Sequence, residues 1–266
     1  MRIKGRAIWQ GIIAALLILS AAICAVAQSG SSVKQNPRDN QKGAPAKQNA
    51  REAPAKQNAR QEEKTTSSVQ PAKDAPDAAH YSYEFKQPEF YIRHILIEHD
   101  GAGRGTVTFQ RRGEDESIVE PLELSEAALT RVLGLWDALQ FLDSDRSYQA
   151  EKQFPHLGTM RLEMRRGERA RAAEFNWTQD KTAFALVDEY RRAAEQALFV
   201  FDISVARQNQ PLDTPRLMDK LDTLVKRSGL SDPKQLIPLL RDLKTDERIP
   251  LMARNQADRI LKRIEK

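Results

Sequence analysis

Cysteine is almost absent: the chain has one, Cys24, and it sits inside an apolar run near the N-terminus. If that run is removed as a leader, no thiol remains, which excludes disulfides, cysteine metal sites and a thiol nucleophile. Such a chain suits an oxidising compartment, where stray disulfides are a hazard. Aromatics are scarce at 6%, and none falls between positions 28 and 79, where Val33 and Val69 are the only aliphatic residues larger than alanine. That segment cannot bury enough apolar surface to offset its ordering entropy, so it is expected to be a disordered linker. A charge excess on the fold is missing too. The formal +5 comes from the first 79 residues, leaving 30 of the 42 bases and 31 of the 37 acids in residues 80–266. A nucleic-acid-binding domain keeps its basic footprint on the fold, so no nucleic-acid partner is expected.

At the N-terminus stand Arg2, Lys4 and Arg6, then an apolar stretch from Gly11 to Ala27 broken only by Ser20, ending in Ala25-Val26-Ala27. A positive start, an apolar core and a small-x-small cleavage site are the parts of a secretory signal peptide, expected over residues 1–27 with Gln28 as the new N-terminus. The alternative is an uncleaved anchor over 7–27, long enough to span a bilayer and giving the only expected membrane contact. Lipidation at Cys24 is disfavoured by Ile23, where such sites need a small residue. Either way the rest is expected to be exported, to the periplasm or the outside. The linker, 28–79, carries two tandem nine-residue units, Ala44–Glu52 and Ala53–Gln61, too short for solenoid repeats.

From His80 onward the periodicity changes. Alternation predicts strands at 81–86, 90–100 and 106–111 and through Ile118 and Leu122, with the Gly101-x-Gly103-x-Gly105 stretch as a hairpin loop and not a phosphate cradle, since no helix follows it. Ser125 reads as a helix cap, with Leu129, Val132, Leu133, Trp136 and Leu139 at helical spacing behind it. A second hairpin turns at Arg166-Gly167-Glu168, with Met160, Leu162 and Met164 on one strand and Ala173, Phe175 and Trp177 on the return. A long helix capped by Asp180 or Thr178 follows, with Phe184, Val187, Tyr190, Ala194, Leu198, Phe201 and Val205 as its expected apolar stripe. The expectation is an α+β fold over 80–207, an antiparallel sheet of hairpins with helices on one face, followed by a small all-α subdomain over 208–266.

In that last part Pro238-Leu239-Leu240, Asp246, Arg254, Ala257 and Leu261 resemble one HEAT-type helical hairpin over residues 233–264, with an Asp in the turn and an Arg in the second helix. The resemblance implies a protein-interaction surface, with Asp246 and Arg254 among its residues, and no catalysis. The overall arrangement also resembles that of many secreted bacterial proteins with a leader, a polar tail and one small α+β domain.

Chemistry has few candidates. His94 and His99 lie five apart on one strand and so on opposite faces. His94, sharing its face with Ile92 and Leu96, is expected at the core edge, and no metal site is expected. No cofactor motif is present. His156, with Asp143 or Asp145, forms the one set of loop residues that could serve a hydrolase acting on envelope material. Arg161, Arg165, Arg166, Arg169 and Arg171 crowd the second hairpin with Glu163 and Glu168. They read either as a patch for an acidic ligand or as a solvated outer face with cross-strand ion pairs. The sequence thus points to an exported, non-enzymatic binding or scaffolding module of a bacterial envelope. Its docking elements would be the C-terminal helices or the arginine hairpin, and its partner an envelope protein.

Overall fold

Large apolar residues alternate with polar ones along β1 (Ala79–Lys86), so Tyr81, Tyr83 and Phe85 are buried while Ser82 and Glu84 point to the opposite face. β2 (Ile92–Asp100), β3 (Arg104–Arg111), β4 (Ile118–Glu123), β5 (Thr159–Arg166) and β6 (Arg169–Phe175) follow, and β5 repeats the alternation with Met160, Leu162 and Met164 buried. The computed structural model describes residues 78–266; the leader, Cys24 and the repeat-bearing linker lie outside the described residues. All pairings are antiparallel, in the order β4-β3-β2-β1-β5-β6. The β2–β3 turn is closed by Gly105, whose backbone passes so near strand β2 that a Cβ there would lie 1.8 Å from the Glu98 carbonyl oxygen.

One face of the sheet is covered by α1 (Glu126–Leu139) and the first half of α2 (Lys181–Asn209). Ser125 caps α1 by accepting from the Ala128 N–H, and Asp180 caps α2 by accepting from the Thr182 and Ala183 N–H groups. The core beneath them joins Tyr83, Ile97, Val107 and Leu162 of the sheet to Val132, Trp136, Leu186 and Tyr190 of the helices. The opposite face is largely polar, as suits an antiparallel sheet solvated on one side, with Leu96 and Val119 as its large apolar residues.

At 29 residues, α2 is about 43 Å long and outruns the sheet. Its second half, through Phe199, Ile203 and Ala206, forms a separate core with α3 (Thr214–Lys226), α4 (Ile237–Thr245) and α5 (Leu251–Ile264). The boundary expected at 207/208 therefore falls within α2's own last turn. The stripe expected on α2 is partly corrected. Val187, Tyr190, Ala194 and Leu198 are buried, but Phe184 and Val205 are exposed, and Ala183, Ala193 and Ala206 fill the buried face instead. Small residues there let the helix lie close to its neighbours.

The histidine assignment is also corrected. It is His99, not His94, that is buried, because β2 turns Ile95, Ile97 and His99 inward after an irregularity between Ile92 and His94. His94 lies on the open face, 2.9 Å from Glu84. His99 stacks on Tyr81 and sits 2.7 Å from the Asp100 carbonyl and 2.8 Å from the Tyr190 hydroxyl, which accepts from the Trp136 indole N–H at 2.9 Å. A carbonyl can only accept, so Nδ1 carries the proton. The Tyr190 O–H then donates to Nε2, and the side-chain polar atoms of Trp136, Tyr190 and His99 are all hydrogen-bonded.

Burial holds the His99 pKa below its ordinary 6.5. Because the folded value is depressed, the unfolded chain takes up the proton first. The stability is intact above pH 6.5 and declines as the pH falls below it, by about 1.4 kcal/mol per unit at most from this residue. Urea titrations of wild type and His99→Gln between pH 7 and 5 should show that component of the slope in wild type alone. Equal slopes would show that His99 does not supply it.

Candidate functional site

The β5–β6 hairpin is closed by a two-residue turn, Gly167-Glu168, with Gly167 at φ 58. A positive φ at the first of the two turn positions is what glycine supplies at no steric cost. The turn sets the pleat of both strands and so divides the arginines. Arg161 and Arg165 point to the open face and share one carboxylate, Glu163, at 2.7 and 3.2 Å. These pairs run along one strand, not across two as expected. Arg166, beside the turn, is exposed and has no ion-pair partner among the described residues.

Arg169 and Arg171 turn the other way, which corrects the picture of a uniform outer face. Arg169 pairs with Asp143 and donates to the Leu142 carbonyl at 2.8 Å. Arg171 lies over the rings of Phe141 and Tyr148, 4.5 and 5.4 Å from their centroids, and donates to the carbonyls of Phe141 and Arg146 at 2.7 and 2.6 Å. Two arginines thus tie the 141–146 segment beneath β6. Since Arg171 donates only to carbonyls and the Tyr148 hydroxyl, and Arg166 has no ion pair among the described residues, both charges are left without a carboxylate.

The hydrolase candidates are not brought together by hydrogen bonds. Asp143 is committed to Arg169 and Asp145 is exposed. His156 is exposed in the short 3-10 turn Pro155–Leu157, its ring edge-on to Phe154, with no hydrogen bond or ion pair to either Asp. Its backbone carbonyl does have a role: buried Gln87 donates to it at 2.7 Å and to that of Pro155 at 3.2 Å, fastening this loop to the β1–β2 turn. Among the described residues no group of three or more His, Cys, Asp or Glu side chains could hold a metal ion, and no helix is long and apolar enough to cross a membrane.

In the helical part, α4 and α5 form an antiparallel hairpin, bridged by Arg241–Glu265 and Lys244–Asp258. Asp246, in its turn, is paired with Arg248 and with Arg207 of α2, not with Arg254. The Arg248 guanidinium, bonded directly to it, holds its carboxyl well below the usual carboxylate range. Arg207–Asp246 brings the end of α2 to the α4–α5 turn, which places exposed Leu212, Leu251 and Met252 at the same end of the helical layer.

No family model matches the chain, and no curated protein does either. Sequence reasoning missed the buried Tyr190–His99–Trp136 chain and the anchoring roles of Arg169, Arg171 and Gln87. Each depends on a partner far away in sequence, and no local pattern signals it.

Proposed function

We propose that the chain is an exported, non-enzymatic binding module of a bacterial cell envelope, docking a protein partner at the corner formed by the β5–β6 hairpin. The observation that carries this reading is the uneven use of the arginines. Arg169 and Arg171 hold the fold, while Arg161 and Arg165 are exposed around a single shared carboxylate and Arg166 is exposed without one, a surplus of positive charge that an acidic partner would complement. The export reading is supported by the N-terminal leader pattern and by the lack of cysteine beyond Cys24. A second docking surface is favoured by one observation in the helical part, the exposure of Leu212, Leu251 and Met252 at 84%, 62% and 63%.

In-cell cross-linking of the full-length tagged protein, with mass spectrometry of the captured material, tests the reading. The expected result is a reproducible envelope partner joined to residues 161–171, with an N-terminal peptide beginning at Gln28 if the leader is cleaved. Arg165→Glu with Arg166→Glu should lower capture about tenfold, equivalent to about 1.4 kcal/mol. Capture unchanged by the double reversal and lost with Leu251→Asp would move the docking surface to the helices. Capture of nothing above background would sink the binding reading.

A further inference from the structure

The two edges of the sheet are finished differently. Strand pairing alternates between residues that bond inward to the neighbouring strand and residues whose N–H and C=O point out of the sheet. On β4 the Leu124 N–H bonds to the Gly103 carbonyl, so the alternation leaves Val119, Pro121 and Glu123 pointing outward. Pro121 has no N–H to offer, and the Glu123 carbonyl is taken by the Gln235 side chain at 3.1 Å. Proline and a covering side chain are the devices that keep an edge from pairing with another chain.

On β6 the closing pair of the hairpin, Arg166 and Arg169, fixes the alternation the other way, leaving the peptide groups of Ala170, Ala172 and Glu174 outward. None of these is bonded by any described residue. Just beyond them the edge is closed again: the Asn176 N–H bonds to the Gln149 side chain and the Trp177 carbonyl to the Ala150 N–H, each at 2.9 Å. The open stretch is thus bounded by its own turn and by the 149–150 segment, and two of its three outward residues are alanines that leave the backbone uncovered.

Resting on the docking reading above, we propose that β6 is the docking element itself, and that an extended, acidic segment of the protein partner adds to the sheet there as a seventh strand. Main-chain bonds to Ala170, Ala172 and Glu174 supply affinity. Charge supplies direction. Arg165 stands across from Ala170, a residue with nothing beyond Cβ to block its reach, while Glu174 stands at the far end. An Asp or Glu opposite Ala170 meets Arg165, whereas the same residue opposite Glu174 meets that carboxylate first, with Arg161 one strand further away.

A phage-displayed library of random linear peptides, panned on the full chain, tests this. Enriched sequences should carry an acidic residue toward one end. Ala172→Pro, which removes an outward N–H and no bond to β5, should weaken the selected peptides about tenfold or more, with Val119→Pro on β4 without effect. Methylating alternate backbone nitrogens of a selected peptide should cost the same from the other side, without altering the protein. Peptides insensitive to both changes overturn strand addition. So does a selected sequence matching this chain, or a dimer in light scattering that Ala172→Pro dissociates, since the occupant is then the protein itself. Failure of this proposal is distinguishable from failure of the docking reading: an envelope partner whose capture survives Ala172→Pro removes the seventh strand and leaves the binding module standing.

Discussion

Trp136→Ala should cost about 3–5 kcal/mol of folding stability, the range for emptying a large aromatic site in a core. Trp136 is 1% exposed, packed edge-on to Phe141 at 4.8 Å and tilted against Tyr81 at 5.5 Å, where sheet, α1 and the 141–146 segment meet. Its indole N–H also occupies the Tyr190 hydroxyl. Trp136→Phe separates the two contributions, keeping most of the volume and removing the donor, for a loss of about 1–3 kcal/mol. Urea unfolding followed by circular dichroism reads both. A loss under 1 kcal/mol for the alanine variant would mean that the site collapses around the gap and is not tightly packed.

Leu240→Ala should cost about 2–5 kcal/mol, as fully buried leucines do when truncated. Leu240 is 0% exposed among Leu243, Leu261 and the α2 residues of the helical core. More telling is the shape of the transition. Phe199 and Ile203 belong to the helical core and Tyr190 to the sheet core, little more than two turns apart on one helix. Arg131 of α1 ties the regions further, donating to Glu189 and to the Ser231 carbonyl at 3.1 and 2.6 Å. Loosening the helical core should therefore lower the melting of the sheet core with it, in a single transition of unchanged denaturant slope. A two-step melt in Leu240→Ala, with near-ultraviolet signals of the sheet aromatics untouched in the first step, would contradict that coupling.

The elements themselves were legible in the sequence because each is set by local rules. Alternation in Met160–Met164, the Gly167 turn, the Ser125 cap and the 3.6 period behind it all give the observed structure, and an α+β fold follows from their order. Face and partner were not legible. In β2 apolar residues occupy both faces, Leu96 on one and Ile95 and Ile97 on the other. Only the register against Tyr83 and Val107 decides which is the core, and that register put His99 inside. On α2, the alanines at 183, 193 and 206 carried no weight in a reading that favours large side chains, yet they line the buried face. At the candidate site the arginines were visible, but their division was not, because Phe141, Leu142 and Arg146 lie 25 to 30 positions away from the arginines that bind their carbonyls. The edges were least visible of all, since nothing before β5 pairs with β1 announces which strands end outermost.

A helix that closes two cores also limits how such a protein can be rearranged in evolution. A domain joined to its neighbour by a linker can be duplicated, lost or grafted elsewhere with little harm to what remains. Here a break at the apparent seam near residue 208 would leave Phe199, Ile203 and Ala206 facing water on a helix that the sheet side still needs. The helical end is therefore inherited with the sheet or not at all. Related chains should vary in the length of the polar linker before residue 78 and in surface loops, and keep the span from β1 to α5 as one indivisible piece.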